Sequence, residues 1–155
     1  SARNELGITD ATSLEIDPDA ANPVIAFMEG QEELHSTGGT MRLGVYPCLL
    51  KEGTKVREAY DQETVDERHR HRYEFNNEYR VQLEEAGLIA SGTSPDGSLV
   101  EVTEVYGHPF MVGSQFHPEF GSRPERPHPL FREFIRMARF TLREGGQHDL
   151  FEEEE

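Results

Sequence analysis

Val112-Gly113-Ser114-Gln115-Phe116-His117-Pro118-Glu119-Phe120 reads as a buried strand that runs into a tight turn and projects His117 and Glu119. A catalytic imidazole needs a neighbour that fixes its tautomer and stabilises the imidazolium that forms. A carboxylate two residues away, across a rigid proline, can supply that. His-Pro-Glu is also polar and turn-prone, so an ordinary surface turn fits the same residues. Nucleophilic catalysis needs a nucleophile, a base and an orienting group, and this stretch holds two of the three. Spacing alone leaves both readings open.

Around this turn, three strands are expected at about residues 88–92, 99–105 and 110–116. Ser94-Pro95-Asp96-Gly97 joins the first two, and Gly107-His108-Pro109 joins the second two. Connections this short force antiparallel neighbours, because a parallel crossover needs a dozen residues or more. Upstream, Asn77 opens a helix with Tyr79, Leu83 and Ala86 on one stripe, and Gly87 ends it. Downstream, residues 121–127 form a Pro/Arg loop, and Pro129 suits the first turn of a last helix. Its apolar stripe is Leu130, Phe134, Met137 and Ala138, with Phe131 and Ile135 alongside, and Gly145-Gly146 ends it. Residues 1–143 make the domain. The tail, 144–155, finishes in four glutamates and is expected to be disordered.

The first half is less regular. Residues 1–6 can close a helix that Gly7 stops in the left-handed conformation. A polar loop around Glu15 follows, then an apolar segment at 23–28 and a polar one at 29–37. Gly38-Gly39 makes a turn or brings backbone N–H groups close to a ligand. A strand is expected over 40–50, where Met41, Leu43 and Val45 alternate with Arg42, Gly44 and Tyr46. Cys48, in Tyr46-Pro47-Cys48-Leu49-Leu50, lacks the flanking glycines of a nucleophile elbow and reads as a buried structural thiol. Thr54 can cap a short helix to about residue 60. Arg68-His69-Arg70-His71-Arg72 is a basic block in an acidic chain. It could be an anion site, a metal site or a solvated strand. The two imidazoles could share a metal, but no third ligand with zinc-like spacing follows, so no metal is expected. A carboxylate site fits better, because Arg pairs with carboxylate bidentately.

Composition narrows the classes. The chain of 155 residues is long enough for one domain with a real core. Thirty acidic residues stand against 15 basic ones, for a net charge of −15, and Lys51 and Lys55 are the only lysines. That surface argues against nucleic acid, whose phosphates need clustered positive charge. It fits a salt-adapted, halophilic source, because concentrated salt screens such repulsion within a few ångströms. No apolar run approaches the roughly 20 residues of a membrane helix, so no membrane partner is expected. The sequence begins at Ser1 without a charged-then-apolar leader. The single Cys48 excludes an internal disulfide and fits a reducing cytoplasm.

Gln115-Phe116-His117-Pro118-Glu119-Phe120 resembles the His/Glu end of the Cys-His-Glu triad in class I glutamine amidotransferases. Three further blocks are similar to the amidotransferase domain of the CTP synthase family. They are Gly38-Gly39-Thr40-Met41-Arg42-Leu43-Gly44, the run from Glu67 to Asn76, and the run from Ser122 to Phe131. The likeness extends from Ser1 to about Ala138. It implies a flavodoxin-like α/β amidotransferase fold, of which this is the C-terminal portion, with a mixed sheet that includes an antiparallel meander. It implies that His117 and Glu119 are catalytic. It also implies that Glu15 and Arg72 bind L-glutamine, Glu15 matching a family glutamate although Leu14 replaces the usual Thr. In the family, a cysteine attacks glutamine, and the ammonia released passes to an N-terminal synthase domain that aminates ATP-activated UTP. That enzyme uses ATP and Mg²⁺, responds to GTP as an allosteric activator, and forms homo-oligomers; no cofactor is expected in the present residues. The Gly-x-Cys-x-Gly elbow and the synthase domain are expected upstream, which makes this a fragment, inactive alone.

Two other readings remain. A different class I amidotransferase or a γ-glutamyl hydrolase would share His117 and Glu119. A non-catalytic binding module would keep the fold and turn nothing over.

Overall fold

The computed structural model describes residues 2–27 and 41–144. Met28, the polar stretch 29–37, Gly38-Gly39, Gly145-Gly146 and the glutamate-rich end fall outside the described residues.

Two sheets meet at the domain's centre. The smaller has three strands in the order β1 (Thr12–Ser13), β2 (Pro23–Phe27), β5 (Tyr73–Phe75). β1 runs parallel to β2, and β5 runs antiparallel to it, with Phe27 opposite Tyr73. The larger sheet has the order β4 (Thr64–His71), β3 (Arg42–Leu50), β6 (Leu88–Thr93), β7 (Val100–Val105), β8 (Val112–Ser114), and every neighbour in it is antiparallel. The β6–β7–β8 meander is the one expected from its short connections. The turn between β6 and β7 closes with Gly97 N–H on the Ser94 carbonyl and Gly97 at φ 74°.

Helices α2 (Lys55–Tyr60) and α3 (Arg80–Glu85) pack against β6, the middle strand of the larger sheet. α1 (Ala2–Glu5) is followed by Gly7 at φ 68°, the left-handed stop read from the sequence. α2 (Lys55–Tyr60) is capped by Thr54, whose hydroxyl accepts from Arg57 N–H, as the sequence predicts. The helix expected from Asn77 begins as a 3₁₀ turn over Asn77–Tyr79, capped by the Asn76 side chain, and continues as α3 (Arg80–Glu85). α4 (Pro118–Gly121) is a single turn, and α5 (Pro129–Glu144) is the longest helix among the described residues. The main core gathers Cys48, Leu50, Val56, Val65, Val102, Phe110, Phe116 and Leu130.

One expectation needs correction, and two patterns take a sense that the sequence left open. The stretch before His117 is not a buried strand: β8 is three residues long and its Gly113 and Ser114 are exposed; only Phe116 beyond it is buried. In β3 the apolar set faces out, with Leu43 57% and Val45 54% exposed, while Arg42, Cys48 and Leu50 are buried. On α5, Leu130 and Met137 pack on the core, but Phe134 is 54% exposed and Phe131 and Ile135 are exposed with it. The apolar stripe on that helix is real, but the described residues cover only part of it.

Candidate active site

The His117 turn is built from its backbone. Phe116 is buried against the His69 and His128 rings, with centroids 5.9 and 6.4 Å away. His117 N–H donates to the Arg68 carbonyl on β4 at 2.9 Å. Pro118 takes the first position of α4, where its missing N–H costs nothing. That single turn brings Glu119 back toward the imidazole. His117 Nδ1 lies 2.7 Å from Glu119 Oε1, so Nδ1 carries the proton and donates it. Nε2 makes no hydrogen bond among the described residues. The Phe120 ring stacks on the imidazole at 5.3 Å. Glu119's own backbone N–H, and then the His117 ring Nδ1–H, hold its carboxyl below the usual range. The dyad therefore has a fixed tautomer and an ionised orienting group.

Arg72 and Glu15 sit at the small sheet. Arg72 lies in the bend between β4 and β5, exposed, without an ion pair or hydrogen bond among the described residues. Glu15 lies in the turn after β1, also exposed, its N–H on Ser13 Oγ. β1 is parallel to β2 and β5 antiparallel, so the end of β1 and the start of β5 flank the same end of β2. Glu15 and Arg72 thus share one end of one sheet. Arg72 is also four residues along the chain from Arg68, whose carbonyl holds His117.

β4 divides the basic block by face. Arg68 and Arg70 are exposed, whereas Glu67 and His69 are buried and His71 is half-buried. The inward groups form polar networks that spacing did not reveal. His71 Nδ1 donates to the Tyr73 carbonyl at 3.1 Å, so its Nε2 accepts from His69 Nδ1 at 2.8 Å. Glu101, from β7, approaches His69 at 3.7 Å and Arg42 at 2.6 Å, and Glu74 stands 3.8 Å from Arg42. Glu101 is the third potential ligand that the sequence spacing lacked, and His69, His71 and Glu101 bring ligand atoms within 4.8 Å of one another. The hydrogen bond between the imidazoles and the Arg42 charge beside Glu101 already occupy this cluster. Burial, and then the nearby Arg42 charge, press the His69 pKa down to about 3; burial also lowers that of His71. Burial pushes Glu74 up to about 7 against the opposing pull of Arg42.

Cys48 is fully buried, and burial, reinforced by Glu101 and Glu67, raises its pKa to about 12. It is a core thiol held away from its nucleophilic form.

This geometry coincides with a clear relationship. Residues 19–137 match the family described as glutamine amidotransferase class-I. The chain belongs to that family. Among its relatives are CTP synthases: that of Shouchella clausii is 61% identical over 137 residues, covering 88% of this chain and 26% of the relative. That of Dehalococcoides mccartyi is 57% identical over 149 residues, covering 96% of this chain and 27% of the relative. Among solved structures, the glutaminase domain of Trypanosoma brucei CTPS with bound acivicin superposes with a TM-score of 0.82 at 33% identity. That alignment covers 90% of this chain and 54% of the other. The chain spans about a quarter of the length of the curated relatives it matches.

Proposed function

We propose that this domain hydrolyses the side-chain amide of L-glutamine and delivers the ammonia to a synthase domain that makes CTP from ATP-activated UTP. The observation that carries the reading is the 2.7 Å hydrogen bond from His117 Nδ1–H to Glu119 on a class I amidotransferase fold. His117 Nε2 takes the proton of an attacking thiol and returns it to the departing ammonia. It then takes a proton from the water that attacks the resulting thioester and returns it to the departing thiolate, which releases glutamate. Glu119 orients the ring and stabilises the imidazolium. Arg72 pairs with the α-carboxylate of glutamine, and Glu15 with its α-ammonium. ATP and Mg²⁺ serve the synthase half and GTP activates the whole. Buried Cys48 does not serve as the nucleophile, which lies outside Ser1–Glu155 in this reading.

The test separates two ammonia sources. His117→Ala in the full-length protein abolishes glutamine-dependent CTP formation and leaves ammonia-dependent formation intact, because the imidazole serves only the hydrolysis. Loss of both rates together would overturn the assignment.

A further inference from the structure

His117 is half-buried and Glu119 exposed, so burial alone does not hold their rotamers. Their aim depends on the backbone of residues 116–122. A buried network behind that segment grips it from both sides. His128 Nδ1 accepts from Leu130 N–H at 3.3 Å, which leaves the ring proton on Nε2. Nε2 donates to Glu67 Oε1 at 2.9 Å, and Tyr60 Oη donates to the same oxygen at 2.6 Å. Both His128 and Glu67 are buried. His128 N–H donates to Ser122 Oγ at 3.2 Å, and Ser122 N–H closes α4 on the Glu119 carbonyl at 3.3 Å. A methyl group placed on Gly121 would meet His128 Cδ2 at 3.3 Å. The Phe116 ring touches His128 at the other end of the turn. Glu67 immediately precedes Arg68, whose carbonyl holds His117 N–H. The contacts form a closed circuit: Glu67, His128, Ser122, α4, His117, Arg68 and back to Glu67.

We infer that His128 and Glu67 are positioning residues for the His117–Glu119 pair, acting through this circuit without touching substrate. The inference rests on the glutaminase reading of that pair. A buried hydrogen-bonded pair does not by itself add much stability over apolar replacements. What this one contributes is the placement of the turn, and misplacement of a reacting group by about 1 Å can cost on the order of 100-fold in rate.

The experiment uses His128→Phe, which keeps a ring but loses both hydrogen bonds, and Glu67→Gln, which keeps the shape and loses the charge. In the full-length protein each lowers kcat with glutamine by on the order of 100-fold. KM for glutamine stays within about threefold, because the substrate contacts are untouched. The ammonia-driven rate is retained. In parallel, proton NMR of the 155-residue chain follows the hydrogen-bonded Nδ1–H of His117. That signal weakens in both variants as it does in Glu119→Gln. A fall in melting temperature with normal kcat and a normal imidazole signal would overturn the inference, as would equal loss of both rates. If the parent protein does not hydrolyse glutamine, the functional reading falls, and the imidazole signal alone decides the positioning role. Gly121→Ala covers the case in which the core variants do not fold. It is exposed, keeps every polar group and crowds His128 from the α4 side; an unchanged kcat and signal in this variant would also overturn the inference.

Discussion

Arg72 differs from Arg68 and Arg70 in lying beyond β4, in the bend that leads into the small sheet. If its guanidinium holds the α-carboxylate of glutamine, Arg72→Ala removes a charge-assisted contact of about 1.5–3 kcal/mol. KM for glutamine then rises roughly 10–150-fold. Lysine rescues only in part, because it lacks the planar fork. Arg68→Ala and Arg70→Ala leave KM near the parent value; an equal rise in all three would mean a diffuse electrostatic patch. The buried pairs beneath make a second prediction. Glu74, raised to about 7, keeps a proton in the folded state that the unfolded chain has already lost, so its contribution to stability falls as pH rises toward 7. His69, lowered to about 3, does the opposite: the unfolded chain holds the extra proton up to its ordinary 6.5, so stability rises with pH in that window. Glu74→Gln therefore steepens the rise in melting temperature between about pH 5 and 7, and His69→Gln flattens it. Profiles that coincide with the parent's would show that neither group titrates as its burial dictates.

At the scale of elements, β6 crosses the core with no room beside Gly92. A methyl group on Gly92 would lie 2.8 Å from Cys48 Sγ, 3.0 Å from Val102 Cγ2 and 3.2 Å from Leu50 Cδ2. Gly92→Ala should cost about 1–3 kcal/mol in urea unfolding, as overpacking does. Cys48→Ala in the same chain should return part of it by removing the nearest atom. A Gly92→Ala chain as stable as its parent would mean that β6 can shift away. The same region explains what the sequence disclosed and what it hid. The His117–Glu119 contact was legible because it is local and proline-bound. The β6–β7–β8 meander was legible because short turns leave no other topology. Strand alternation in β3 was legible, but not its sense. A period of two says that Leu43 and Arg42 face opposite ways, and packing decides which way is in. Here the inside holds Arg42 because Glu101 and Glu74 meet it there, carried by strands far along the chain. The same distance hid Glu101 from any spacing rule built on His69 and His71, and His128 from any reading of the His117 turn. Phe134 on α5 shows the converse: helical periodicity marks a stripe without saying how much of it is covered.

For the whole molecule, charge is the governing quantity. A net −15 on 155 residues makes self-repulsion a term in stability, and salt shortens its range from about 10 Å at 0.1 M to about 3 Å at 1 M. The melting temperature should climb steeply between dilute buffer and molar KCl. A flat response would remove the proposal of a salt-adapted source and leave an ordinary acidic domain.

β4 carries a consequence of its own. Its Arg68 carbonyl pins the backbone of His117, and Arg72 follows four residues later. β4 carries the chain about 10 Å from Arg68 to His71, and the bend that follows holds Arg72. In the proposed site the strand is a gauge block: arginine reach and substrate length together must fill one set gap. Asparagine, a methylene shorter, would bring its amide roughly 1.3 Å short of the imidazole. The choice of amide would then be set by backbone spacing, and loops on either side could change freely without changing which amide is cut.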